Sequence, residues 1–259
     1  MAVDTGRVAI ITGAGSGIGR AAAIGLARHA WRCLLTGRRR EPLENVAREV
    51  REAGGEARIA PFDVSNAPAV TEAIEETLQV WGRIDLVVNN AGLNVPRRDL
   101  GSISFEDWQR VVAANLHGPF LLTQAVLPAM RARHEGTIVN VSSMAAMRAG
   151  TLSGPAYSAA KAALNSFTES INVAERGNGI RACAVCPGEV DTPIMERRTF
   201  VPSPEARATM MKAEDVADAI LLVALMPART SIELILMRPT VLRDISEDRR
   251  RGVPGAESK

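Results

Sequence analysis

What most limits the fold of this chain is an alternation of two kinds of segment. Short runs rich in valine, isoleucine and leucine recur at residues 8–11, 33–35, 57–60, 84–88, 137–141, 181–185 and 233–237, each about the length of a strand. Between them lie stretches with helical spacing of apolar residues, at 18–28, 41–53, 67–81, 105–133, 156–176 and 213–225. In the second of these, Leu43, Val46, Ala47 and Val50 step by three and four along one helix face, while Glu44, Arg48, Glu49 and Arg51 fill the other. Strands that are apolar almost without interruption need cover on both faces, and helices placed between successive strands supply it. The expected fold class is therefore α/β, a single doubly wound parallel seven-stranded sheet with helices on both faces. Right-handed crossovers would put its ligand crevice at the C-terminal ends of the strands.

Composition agrees with one large core: 259 residues, 46% hydrophobic and 23% charged. The expected domain covers 1–242, followed by a flexible tail at 243–259 that carries Arg249, Arg250 and Arg251. Residues 189–212 interrupt the alternation with Pro193, Pro202 and Pro204 and read either as a lid over the crevice or as a surface loop. A net charge of +2 without a basic stripe argues against nucleic acid as a partner. The apolar run 219–226 is far short of the roughly 20 residues that cross a membrane, and no secretory signal pattern opens the chain, so a cytoplasmic location is expected. Cys183 and Cys186 are spaced like a chelating pair, but on a strand side chains three apart point to opposite faces. With His29, His117 and His134 scattered, no protein-bound metal is expected.

The first strand runs into Thr12-Gly13-Ala14-Gly15-Ser16-Gly17-Ile18-Gly19, where a helix begins. Glycines at such a turn let the backbone approach a pyrophosphate held at the helix N-terminus, as in a Rossmann-type fold. The common GxGxxG fingerprint is not met, because its sixth position is Ile18. After the second strand comes Thr36-Gly37-Arg38-Arg39-Arg40. A carboxylate there would bond a ribose 2′-hydroxyl; Arg38 and Arg39 instead offer planar donors to a 2′-phosphate, which favours NADP over NAD. Tyr157 is the only tyrosine in the chain and precedes Lys161 by four residues. On a helix these share a face, so the ammonium can stabilise a phenolate and bring a weak base with an ordinary pKa near 10 toward neutral pH.

The glycine loop together with Asn89-Asn90-Ala91-Gly92, Asn115, Tyr157-x-x-x-Lys161 and Pro187-Gly188 resembles the short-chain dehydrogenase/reductase family over residues 5 to 240. That resemblance implies that Gly13, Ser16, Gly17, Ile18 and Gly19 cradle the pyrophosphate. It places Asp63 and Val64 at the adenine, with Asn90, Gly92, Pro187, Gly188 and Thr192 along the rest of the cofactor. Catalysis would fall to Tyr157, Lys161, Ser143 bonded to the substrate oxygen, and Asn115 holding a water on the proton path. Ser143 stands 14 residues before Tyr157 where many relatives have 13, which leaves Ser142 as an alternative. The implied activity is hydride transfer between a nicotinamide cofactor and the carbonyl or secondary alcohol of a small molecule. The seventh strand, ending Arg238-Pro239-Thr240, resembles the branch that includes 3-hydroxy acid dehydrogenases, which implies a 3-hydroxy or 3-oxo acid; Arg148, Arg197 and Arg198, in segments expected to border the pocket, read either as partners for its carboxylate or as solvated surface residues. A 3-oxoacyl-thioester reductase and a non-catalytic dinucleotide-sensing protein are the alternatives. Apolar residues such as Leu121, Leu122, Val126, Leu164 and Phe167 exceed what a sheet-facing stripe needs, and a homodimer or homotetramer is expected.

Overall fold

The structure, a computed structural model, describes residues 6–197 and 201–246. Its strands are β1 Val8–Thr12, β2 Arg32–Gly37, β3 Glu56–Pro61, β4 Leu86–Asn89, β5 Gly136–Val141, β6 Ile180–Pro187, the two-residue β7 Val190–Asp191 and β8 Met211–Lys212, and β9 Leu234–Met237. The helices are α1 Gly17–Ala27, α2 Arg40–Glu52, α3 Ala67–Trp81, α4 Phe105–Val112, α5 Gly118–Arg133, α6 Pro155–Glu175, α7 Pro204–Ala208 and α8 Ala213–Leu225. Seven of the strands make one sheet in the order β3-β2-β1-β4-β5-β6-β9. Every neighbouring pair is parallel.

Alternation along each strand divides the core in two. Ala9, Ile11, Cys33, Leu35 and Val185 face α1, α2 and α8, where Leu26, Val46 and Ile220 meet them. Val8, Ile10, Leu34 and Ile138 face the other way, onto Ile74 of α3, Val126 of α5 and Ile171 of α6. The chain works outward from β1 to β3, then returns to β4 on the opposite side of β1. This reversal separates the first crossover loops and opens the crevice at the C-terminal ends of β1 and β4. The two cysteines of the CxxC spacing lie as the strand geometry requires. Cys183 belongs to the α1/α8 side, where burial pushes its thiol up to about 12, whereas the Cys186 thiol donates to Asn165 Oδ1 of α6 at 3.6 Å.

The helical stretch at 105–133 is not one regular helix. A π turn, Ala113–His117, joins α4 to α5. Pro119 lacks the N–H that would complete an α-type bond to the carbonyl of residue 115, and the wider turn is closed by Gly118 N–H donating to Ala113 O. Residues 189–212 also hold more structure than a bare loop: β7 and β8 pair, and Asp191 takes ion pairs from Arg207 at 2.6 Å and Lys212 at 2.9 Å. Arg198 and the arginines at 249–251 lie outside the described residues. Arg243, assigned above to the tail, is ion-paired with Glu189 at 2.7 Å. Among the described residues, no helix is long and apolar enough to cross a membrane, and no three metal-ligating side chains come together.

Two polar arrangements set the sheet's ends. At the upper end Asn89 Nδ2 donates to Asn140 Oδ1, Asn140 Nδ2 to Thr168 Oγ1, and Thr168 Oγ1 to Leu164 O, a buried chain linking β4, β5 and α6. At the lower end Arg181 gives Nη1 to the carbonyls of Pro227 and Thr230 and Nη2 to those of Val223 and Met226. It thereby caps the C-terminus of α8 with a positive charge and fixes the loop that delivers β9. Arg181→Met should cost about 2–3 kcal/mol of stability, since several charge-assisted bonds go at once. Urea unfolding of the variant checks this, with a lower midpoint expected.

Candidate active site

One cleft of about 700 Å³ opens above the β1/β4 reversal and runs toward the end of β6. Its first wall is the glycine loop. Gly17 sits at φ +54°, a conformation that side chains disfavour, and a Cβ on Gly19 would fall 2.5 Å from Gly13 O. Ser16 is the N-cap of α1 yet gives no side-chain cap, which leaves the N–H groups of the first turn, at the wall of the cleft, for a ligand to take. The loop is braced from behind by Thr12, whose Oγ1 donates to Val88 O and accepts from the N–H groups of Asn90 and Ala91 at 2.9 and 2.8 Å. Asn90 Nδ2 completes the brace by donating to Thr12 O and Gly13 O. Thr12 is a functional position for which the sequence reading proposed no role. Its only signal was a hydroxyl residue ending an otherwise apolar strand.

Other expected cofactor positions fall in three groups. Gly13, Gly17, Ile18, Asn90, Gly92 and Thr192 line the cleft, as do Ser16, Arg39, Pro187 and Gly188. Gly19 stands just behind the loop as a contact that tolerates no side chain. Arg38, Asp63 and Val64 are not among the lining residues. Arg38 is exposed at the end of β2. The Asp63 carboxylate accepts from Ser65 N–H and Ser65 Oγ; burial raises its pKa, but these bonds and the Arg38 charge outweigh that and hold it below the usual carboxylate range. Val64 is buried against Gly118.

The far wall brings together the four expected catalytic side chains. Proline at the first position of α6 and the turns that follow it put Tyr157 and Lys161 on one face, with Lys161 Nζ 5.6 Å from the centre of the phenol ring. Lys161 is only 3% exposed, and its Nζ donates to Val141 O at 2.8 Å. Burial lowers its pKa from 10.5 to about 8, with Cys186 acting weakly in the opposite direction. Ser142 is turned to the backbone of α6, its Oγ donating to Lys161 O at 3.3 Å. Ser143 lines the cleft and accepts from Ala145 N–H, which leaves its own hydrogen to be donated. Of the two serines, the geometry thus favours Ser143.

Asn115 lies in the π turn and is fully buried. Its Nδ2 donates to Leu93 O at 2.7 Å and Val111 O at 2.8 Å, while Oδ1 has no hydrogen-bond partner among the described residues. That orphaned acceptor faces Gly92, where a Cβ would come within 2.7 Å of it and 3.8 Å of Lys161 Nζ. An unpaired buried oxygen beside a buried ammonium is the setting in which a bound water completes the hydrogen bonding. Loops 93–98 and 150–153 frame the mouth, tied by Asn94 Nδ2 to Ser153 O and Arg98 Nη1 to Leu152 O. Arg148 lines the mouth and is exposed. The side chain of Arg197 lies outside the described residues.

A glycine cradle at a helix N-terminus, joined in one cleft to a tyrosine–lysine–serine–asparagine cluster, defines a nicotinamide-dependent oxidoreductase site, and the residues present fit such a dinucleotide. The comparisons agree. The short chain dehydrogenase family model matches residues 7–200. An uncharacterized oxidoreductase of Staphylococcus aureus strain USA300 is 32% identical over 239 residues, 92% of this chain and 100% of the relative. A metagenomic short-chain oxidoreductase solved in complex with NADP is 33% identical, with a TM-score of 0.80 over 93% of this chain and 100% of the other. A 3-ketoacyl-ACP reductase from Sinorhizobium meliloti 1021 is 33% identical, with a TM-score of 0.77 over 88% and 97%. The chain belongs to the short-chain dehydrogenase family.

The low pKa of Lys161 carries a stability consequence. Below about pH 8 the folded and unfolded chains both hold this proton; between about 8 and 10.5 only the unfolded chain does, so stability rises with pH across that window. The gain should approach roughly 3 kcal/mol. Chemical denaturation at pH 7.5 and pH 10.5 should show it in the native protein and not in Lys161→Met. An equal pH response in the two would contradict the burial of a titrating ammonium.

Proposed function

We propose that the protein is an NADP-dependent reductase of a small carbonyl compound, running in reverse as a secondary-alcohol dehydrogenase. The observation that carries this reading is the buried Lys161 ammonium beside the ring of the single tyrosine, in the same cleft as the glycine loop. A bound nicotinamide dinucleotide supplies or accepts the hydride. In the reductive direction the Tyr157 hydroxyl gives its proton to the substrate oxygen, and Ser143 donates a hydrogen bond to that oxygen as charge gathers on it. Lys161 stabilises the phenolate that remains. A water bound at Asn115 Oδ1 would return the proton from solvent. Tyr157→Phe should lower kcat by at least about a hundredfold in a panel of carbonyl compounds followed by loss of NADPH absorbance. Turnover by that variant at the native rate would refute the assignment.

The preference for NADP rests on Arg38 and Arg39 and on the lack of a carboxylate at the end of β2, and a neighbour solved with NADP supports it. NADPH should bind at least about tenfold more tightly than NADH, roughly 1.4 kcal/mol. Arg38→Ala and Arg39→Ala should narrow that gap by weakening NADPH alone; equal affinities in the native protein would exclude it. Arg148 at the mouth, without an ion pair among the described residues, favours a 3-oxo acid or a 3-oxoacyl thioester, and the structural likeness to a 3-ketoacyl-ACP reductase supports the second form. The outer faces of α5 and α6 carry Phe120, 44% exposed and tilted at 56° against the ring of Phe167 with centroids 6.0 Å apart, and Val173, 79% exposed. We assign these faces to contact with a second copy of the chain, so light scattering at micromolar concentration should give at least a dimer mass, and a monomer mass would overturn it.

A further inference from the structure

β9 is followed by a segment that turns back over the cleft. Gly188 N–H donates to Met237 O at 2.8 Å, lacing the end of β6 to the end of β9. The next residue, Glu189, binds Arg243 with both carboxylate oxygens, to Nε at 2.7 Å and to Nη2 at 2.9 Å. The side chains are 10% exposed for Arg243 and 26% for Glu189. Two-pronged pairs shielded in this way hold geometry far better than an exposed pair does. Glu189 also stands at the root of the inserted segment, its carbonyl accepting from Met211 N–H at 3.2 Å. One residue therefore anchors both pieces of chain that border the substrate end of the cleft.

The chemistry of those borders is apolar. Val241, Leu242 and Ile245 line the cleft from the returning segment, opposite Val190, Met195 and Met210. The latter three are nearly fully buried, whereas Val241 and Leu242 are each 66% exposed. Apolar side chains held at a cleft mouth by a fixed ion pair gain cover only when something apolar fills the mouth, and methionines adapt to its shape. We propose that residues 241–245 are a strap over the substrate pocket, that Glu189 is the positioning residue holding it through Arg243, and that the strap selects carbonyl substrates bearing an extended apolar chain. This rests on the reductase reading given above.

Straight-chain methyl ketones from four to ten carbons, reduced with NADPH by the full-length protein, test it. In the native enzyme kcat/KM should climb about threefold per added methylene until the pocket is filled. Arg243→Met and Glu189→Gln should flatten that climb, with the loss falling on KM more than on kcat. The double exchange Glu189→Arg with Arg243→Glu should restore part of it and serves if a single variant folds poorly, as judged by its thermal midpoint. A flat native series, or an undiminished climb in the single variants, overturns the strap. If no ketone is reduced, simple ketones are excluded as substrates, and the reductase reading stands or falls separately on the wider carbonyl panel and the Tyr157→Phe variant. The strap is then judged by calorimetric binding of the matching 2-alkanols in the presence of NADPH, where equal chain-length dependence in native and variant proteins refutes it.

Discussion

An ammonium group kept out of water is the constraint on which the rest of this site depends. Lys161 is buried with its ammonium donating to Val141 O, and burial lowers its pKa to about 8, with Cys186 acting in the opposite direction, so the group stays charged at neutral pH. Val141 is the last residue of β5, so the position of that carbonyl follows from the pairing of β5 with β4 and β6. The Asn89–Asn140–Thr168 chain lies one layer below and ties the same strands to the same helix. A slip of one residue in either strand would turn the amides to the wrong face and displace the carbonyl, so polar specificity and catalytic placement are secured by one register.

How much of this was legible beforehand depends on whether the signal was local. The strand and helix alternation, the glycine turn and the Tyr157–Lys161 step are all encoded within a few residues, and each appears where its periodicity puts it. Helix boundaries such as 67–81 and 213–225 are reproduced residue for residue. The stretch 105–133 misled for a local reason too: its apolar spacing is helical throughout, and the π turn arises from the proline at 119, whose effect on hydrogen bonding does not show in a hydrophobic pattern.

What the sequence did not disclose are pairings between distant residues. Glu189 and Arg243 are 54 positions apart, and Arg181 meets carbonyls more than 40 positions on; nothing near any of them marks a partner. Thr12 is similar, because a threonine at a strand end says nothing about the two N–H groups of the fourth strand's loop that it receives. Asp63 shows the converse. It stands where the family motif puts it, yet its carboxylate is taken up by Ser65, the local turn bond that aspartate makes readily.

The sheet order also fixes a sequence of events during synthesis. β1, β4, β5 and β6 are neighbours made in that order, whereas α8, against which the glycine-loop helix α1 packs, is made after all of them. The strand that closes the opposite border, β9, comes more than 40 residues after β6 and pairs with β6 alone. Until β9 is made the flank of β6 is bare, with Ala184, Val185, Cys186 and Pro187 awaiting their partners. That bare edge makes this the stage of translation at which the half-built sheet is most open to association with other chains.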